Sequence, residues 1–215
     1  MKKIAIVLSG CGFKDGAEIT ESVSTLIALS QKAVDYKMYA PDMELKTTNH
    51  LNGEREAPRN VLAESARIAR GQIENIEKLF AKDFDAVVFP GGFGAAVNLC
   101  NWAEKGHKCD VHPEVERVIK EFYQASNPIG AICIAPALVA RVLGCHGVTV
   151  TIGNEKDTAR EINLTGAIHE ECAVDDYITD RGHKLITTPA YMYDAKPAEV
   201  FKGISGLINE LVEMA

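Results

Sequence analysis

The sequence has no excess of basic residues, no long apolar run and no paired cysteine spacing, and each absence narrows what the protein does. Acids outnumber bases 30 to 23, for a net charge of -7, and the Lys and Arg residues are interleaved with acids. No basic field remains to neutralise phosphates, so nucleic acid is not an expected partner. No stretch approaches the ~20 apolar residues of a bilayer span, and no membrane association is expected. Six cysteines in 215 residues are too sparse and too irregularly placed for a disulfide framework, which fits a reducing compartment, by expectation the cytoplasm. The run Ile4 to Leu8 follows Lys2-Lys3 and precedes Ser9-Gly10-Cys11, yet it is shorter than the roughly 7–15 apolar residues of a signal segment and has the length of a buried parallel strand. Repeats, linkers and low-complexity tracts are also missing. With 47% hydrophobic residues the chain fills one core, so residues 1–215 are expected to form a single domain.

What is present is an alternation of short β-branched runs with longer segments of helical periodicity, the pattern of a mostly parallel sheet with helices on both faces. The runs predict strands at Lys3 to Leu8, Asp35 to Tyr39, Ala86 to Phe89, Pro128 to Ile132, Val148 to Ile152 and Lys184 to Thr187. The periodic segments predict helices at Gly16 to Gln31, Val61 to Ile68, Gly94 to Trp102, Pro113 to Ala125, Ala135 to Leu143 and Ala198 to Met214. Asp175 to Asp180 reads as one arm of a hairpin with Lys184 to Thr187 at the sheet margin. Pro41 to Arg59 is rich in charged and turn-forming residues and reads as an irregular insertion with a short strand pair.

Between a predicted strand and a predicted helix stands Cys133, where α/β proteins build their sites and a helix N-terminus favours a thiolate. It is the candidate nucleophile. Two further strand ends should meet it. The first leads through Ser9-Gly10-Cys11-Gly12 and Asp15-Gly16 to Glu18, whose carboxyl can face the same cleft. The other ends in Pro90-Gly91-Gly92-Phe93-Gly94, where glycines let amides approach a bound group and form an anion nest. Singly, an acid in a first turn more often complements a helix dipole, and a glycine pair more often marks a tight turn. Their joint position at three strand ends favours a site.

Six separated motifs then carry a family resemblance: Ser9-Gly10-Cys11-Gly12, Asp15-Gly16-Ala17-Glu18, Arg59-Asn60-Val61-Leu62, the Pro90 to Ala95 loop, Cys133-Ile134-Ala135-Pro136-Ala137 and Thr187-Thr188-Pro189-Ala190-Tyr191-Met192. Over nearly its whole length the chain resembles the superfamily of the parkinsonism-associated deglycase and the protease-like PfpI, related to class I glutamine amidotransferases. More narrowly it resembles the ElbB branch, the enhancing lycopene biosynthesis proteins. The resemblance implies a flavodoxin-like three-layer sandwich, a nucleophile at Cys133 in a strained turn, an acid hydrogen-bonded to it at Glu18, and oxyanion donors from Gly91, Gly92 and the backbone of Ile134. It implies a homodimer that converts glyoxal or related dicarbonyls to hydroxy acids, a glyoxalase-type lyase reaction without glutathione, metal or organic cofactor. Cys11 is a candidate second thiol of the site, as resolving cysteine or catalytic partner.

One departure matters. Protease-like members place a histidine directly after the nucleophile, where this chain has Ile134, and deglycase-like members carry one after the next strand, where it has Thr151-Ile152-Gly153. His146 belongs to the turn before that strand and is given no catalytic role. Without that base, amide hydrolysis, which must protonate a poor leaving group, is disfavoured, whereas Glu18 can shuttle a proton in glyoxal chemistry. Three rival readings remain. Gly10, Gly12, Gly16 and Asp42 match a dinucleotide fingerprint poorly. Cys100, His107, Cys109 and His112 lack the usual zinc spacing. A non-enzymatic redox-responsive or regulatory role, linked to isoprenoid biosynthesis, would use the same thiol.

Overall fold

The computed structural model describes residues 1–215. Eleven strands and eight α-helices follow in chain order: β1 (Lys2–Val7), α1 (Ile19–Ser30), β2 (Val34–Ala40), β3 (Glu44–Leu45), β4 (Arg59–Asn60), α2 (Val61–Ile68), β5 (Ile73–Asn75), β6 (Ala86–Phe89), α3 (Phe93–Val97), α4 (Trp102–Lys105), α5 (Pro113–Gln124), β7 (Ile129–Ile132), α6 (Ala135–Leu143), β8 (Thr149–Val150), α7 (Lys156–Leu164), β9 (Ile168–His169), β10 (Ile178–Asp180), β11 (Leu185–Thr188) and α8 (Pro197–Met214). Seven strands form one sheet in the order β10-β11-β7-β6-β1-β2-β5. Every pairing in it is parallel except β10 with β11, the predicted marginal hairpin.

Burial on both faces explains the continuous apolar runs of the central strands. Ile4, Ile6, Val88, Ile132 and Ile186 face one side, where Leu29 of α1 and Ile204, Leu207 and Leu211 of α8 cover them. Ala5, Val7, Val87, Phe89 and Ala131 face the other, against Val115, Ile119 and Phe122 of α5 and Leu138 of α6. The result is the expected three-layer, flavodoxin-like α/β sandwich. Gly130 sits beneath α8, with Leu207, Leu211 and Val88 side chains around the position a β-carbon would take.

Two expectations are corrected, and one helix has no counterpart among them. Val148 to Ile152 supplies only β8, which pairs with β9 in a separate two-stranded sheet. The helix expected over Gly94 to Trp102 is broken into α3 and α4, because Cys100 pairs with Val111 in an antiparallel bridge and the Asn98 side chain turns inward to donate to Ser9 O at 2.8 Å and Asp15 O at 2.7 Å. Helix α7 lies where the sequence predicts no element: among its residues only Ile162 is buried, so the sequence carries little periodic signal there. The 41–59 insertion holds the short antiparallel pair β3 and β4.

Candidate active site

β7 delivers its buried residues into Cys133, which adopts a left-handed backbone at φ +62°. A residue with a β-carbon is strained in that region and stays there only where its surroundings fix it. The Cys133 N–H donates to Thr188 O at 2.9 Å, which ties the turn to the end of β11, and α6 starts two residues on. The thiol lies at the base of a cleft of about 780 Å³ whose walls include Phe13, Gly92, Phe93, Trp102 and Tyr191.

The carboxyl packed beside that thiol is Glu21, not Glu18: Glu21 Oε2 and the Cys133 β-carbon both crowd the position a β-carbon on Gly91 would take. Glu21 lies in the first turn of α1, fully buried, with Oε2 accepting from the Gly91 N–H at 3.0 Å and Oε1 from the Tyr191 N–H at 3.3 Å. Glu18 instead caps the helix: its Oε2 accepts from the Glu21 N–H at 2.6 Å, and it borders the same cleft nearer its mouth. The reason is angular. Position 21 shares a helix face with buried Thr25, Ala28 and Leu29, whereas position 18 precedes the helix. That register was the overlooked signal, an acid in line with a buried stripe.

The glycine loop is correspondingly smaller as an anion site than its sequence suggests. Gly91 is not free to serve as an oxyanion donor, since its N–H is held by Glu21. The amides of Phe93, Gly94 and Ala95 donate to Phe13 O, Gly16 O and Gly92 O. Gly92 and Ile134 line the cleft beside Cys133, and their N–H groups favour its charged form. These two amides can hold an oxyanion formed at the thiol.

Burial first, and then the neighbouring Glu21, push the Cys133 thiol well above its ordinary value, against the pull of the Gly92 and Ile134 amides. The thiolate expected from a helix N-terminus is therefore not the resting state, because desolvation outweighs two hydrogen bonds. Glu21 is pushed up to about 8 by burial and by the Glu18 carboxyl. Burial also raises Glu18, against the N–H groups of α1 that it caps. Glu21 thus keeps its proton at neutral pH beside a neutral thiol, and its carboxylate, once formed, is the base placed next to the sulfur.

Cys11 does not join this constellation. It borders a separate small depression with Asp15, His50 and Glu64, on the far side of the tight Gly10 to Gly16 turn. That turn closes on itself: Gly12 N–H donates to Ala17 O, Gly16 N–H to Gly12 O, and Gly10 N–H to Ser65 Oγ, which leaves no amide nest for a pyrophosphate. The Cys100, His107, Cys109, His112 group is likewise dispersed in role. His107 Nδ1 lies 2.6 Å from Glu161 Oε2 and His112 caps α5, while the buried Cys100 thiol donates to Ala95 O at 3.2 Å.

Comparison with known proteins agrees with the fold. The profile of the DJ-1/PfpI family matches residues 13–188. The "ES1 protein homolog, mitochondrial" of Rattus norvegicus is 42% identical over 224 residues, covering 99% of this chain and 84% of that protein. The human "Glutamine amidotransferase-like class 1 domain-containing protein 3, mitochondrial" is also 42% identical, covering 99% and 83%. Among solved structures, an isoprenoid biosynthesis protein with amidotransferase-like domain from Ehrlichia chaffeensis superposes with a TM-score of 0.94 at 35% identity, covering 100% of this chain and 99% of that one. No helix of the chain is long and apolar enough to cross a membrane.

Proposed function

The chain belongs to the DJ-1/PfpI family, and from that premise we propose that it is a cofactor-independent, glyoxalase-type lyase that converts α-oxoaldehydes into hydroxy acids through Cys133. The observation that carries this reading is the packing of the buried Glu21 carboxyl and the Cys133 side chain against Gly91, with Gly92 and Ile134 lining the same cleft. The ionised Glu21 takes the thiol proton as the sulfur adds to the aldehyde carbon, and the two amides receive the new oxyanion. A proton then moves from the former aldehyde carbon to its neighbour, a transfer suited to Glu18, which borders the cleft with one oxygen fixed by the Glu21 N–H. Water releases the hydroxy acid from the thioester. No amine has to leave, so the chemistry does not need the histidine that this site lacks.

The redox-regulatory alternative needs a standing thiolate, and burial of Cys133 works against one. The Ehrlichia protein's isoprenoid label raises a link to isoprenoid biosynthesis as a setting for the activity. Six free thiols suit a reducing compartment, cytoplasm or, following the relatives' names, mitochondrion. A homodimer is part of the proposal, supported by the exposed stripe Ile19, Val23 and Ile27 along α1. The deciding experiment follows hydroxy-acid formation from methylglyoxal without added thiol, comparing the protein with Cys133→Ser and Glu21→Gln. Turnover that needs both side chains supports the reading. Turnover equal to the Cys133→Ser background, from a folded protein, refutes it.

A further inference from the structure

The cleft above Cys133 is far larger than a two- or three-carbon dicarbonyl. Its volume of about 780 Å³ falls within the roughly 300–1,000 Å³ of sites for drug-sized ligands. Its walls are apolar and aromatic, with Phe13, Phe93, Trp102, Ile134 and Met192 around the thiol. Phe13 and Phe93 are 47% and 54% exposed, from two loops joined by the Phe93 N–H to Phe13 O bond of 2.8 Å. Two phenyl rings held half in water beside a nucleophile offer apolar area that the fold itself does not use.

Charge at the rim is one-sided. Glu18, Glu155, Asp157 and Glu161 border the cleft, and the one base among its lining residues, Arg160, lies 3.9 Å from Asp157. Hydrogen bonds from Thr158 and Asp157 hold Glu155 below the usual carboxylate range, and those from His107 do the same for Glu161, so both are anions at neutral pH. An anionic substrate meets repulsion there and a neutral one does not.

Resting on the glyoxalase reading above, we propose that the substrates are uncharged α-oxoaldehydes with an aryl or similarly bulky apolar body, which lies against Phe13 and Phe93 while the aldehyde carbon meets Cys133. Phenylglyoxal illustrates the balance. The sulfur bonds to the aldehyde carbon and the thiol proton ends on its oxygen. The hydrogen on that carbon then moves as a proton to the adjacent carbon through an enediol, and its bonding pair stays behind, leaving a thioester. One water cleaves the thioester to mandelate and restores the thiol, so no external oxidant or reductant takes part. The product is an anion, which the same acidic rim repels.

The test compares kcat/KM for methylglyoxal, phenylglyoxal and 4-carboxyphenylglyoxal, alongside protection of Cys133 by unreactive acetophenone against alkylation by iodoacetamide at pH 8.5, read by mass spectrometry. Phenylglyoxal is expected to exceed methylglyoxal by at least about tenfold, the scale of discrimination an apolar pocket supplies. The carboxylated analogue is expected to fall below phenylglyoxal by a similar factor, acetophenone to slow alkylation, and Phe93→Ala to reduce the phenylglyoxal to methylglyoxal ratio. Protection by acetophenone with no turnover of any aldehyde supports the apolar-body assignment while defeating the glyoxalase chemistry. Turnover of methylglyoxal at least as efficient as that of phenylglyoxal, with no protection, overturns the assignment while leaving the chemistry standing. Equal turnover of the carboxylated and parent compounds overturns the exclusion of anions.

Discussion

Glu21 and Cys133 meet across a gap that exists only because residue 91 has no side chain. A β-carbon at Gly91 would lie 2.7 Å from Glu21 Oε2 and would collide with the Cys133 β-carbon. The acid comes from the first turn of α1 and the thiol from the turn after β7, and the Gly91 backbone packs against both.

Gly91→Ala should therefore push the pair apart. We expect a loss of about 1–3 kcal/mol of stability, the usual scale of overpacking, together with loss of turnover. Urea denaturation and a methylglyoxal assay on the same preparation check both; a stable and fully active variant would show that the contact is unnecessary.

Turnover should rise with pH. Glu21 is pushed up to about 8, so about one molecule in ten carries the carboxylate at pH 7 and most do at pH 9. kcat/KM should climb through about pH 8 and then level off. In Glu21→Gln it should fall by about 100- to 10,000-fold and lose that limb. A pH profile that is the same in both proteins would remove Glu21 from the proton path.

Stability should move in the opposite sense. The folded state holds the Glu21 proton more tightly than the unfolded state does, so its contribution is complete below pH 4.5 and is lost as pH rises through about 8. Thermal melts of Glu21→Gln across pH 5 to 9 should show a smaller decline on the alkaline side than the unsubstituted protein.

Asn98 is the buried peg beneath the site, donating to Ser9 O and Asp15 O. Asn98→Ala leaves two buried carbonyls unpaired and should cost about 2–4 kcal/mol. Denaturant titration measures the loss directly.

Cys11→Ser should leave turnover unchanged, since Cys11 opens onto a different depression from Cys133. Steady-state assays with methylglyoxal are sufficient, and a large drop would bring Cys11 back into the mechanism.

The sequence by itself determined the layers. Apolar runs of strand length at β1, β6 and β7, and helical periodicity over α2 and α6, depend on neighbours a few residues away, and those elements appear within a residue or so of where the pattern sets them. It also placed Cys133 at a strand-to-helix turn, because that turn is local. Tertiary structure decided the rest. Whether Glu18 or Glu21 touches the thiol depends on how α1 is rotated against the sheet. Whether the Gly91 amide is available depends on a carboxyl 70 positions away in the chain. Whether the thiol rests charged depends on how completely three loops bury it. The break between α3 and α4 likewise follows from the Cys100 and Val111 bridge and the inward turn of Asn98. Each of these is settled by distances between residues far apart in sequence, and electrostatic and desolvation energies follow those distances rather than the order of the chain.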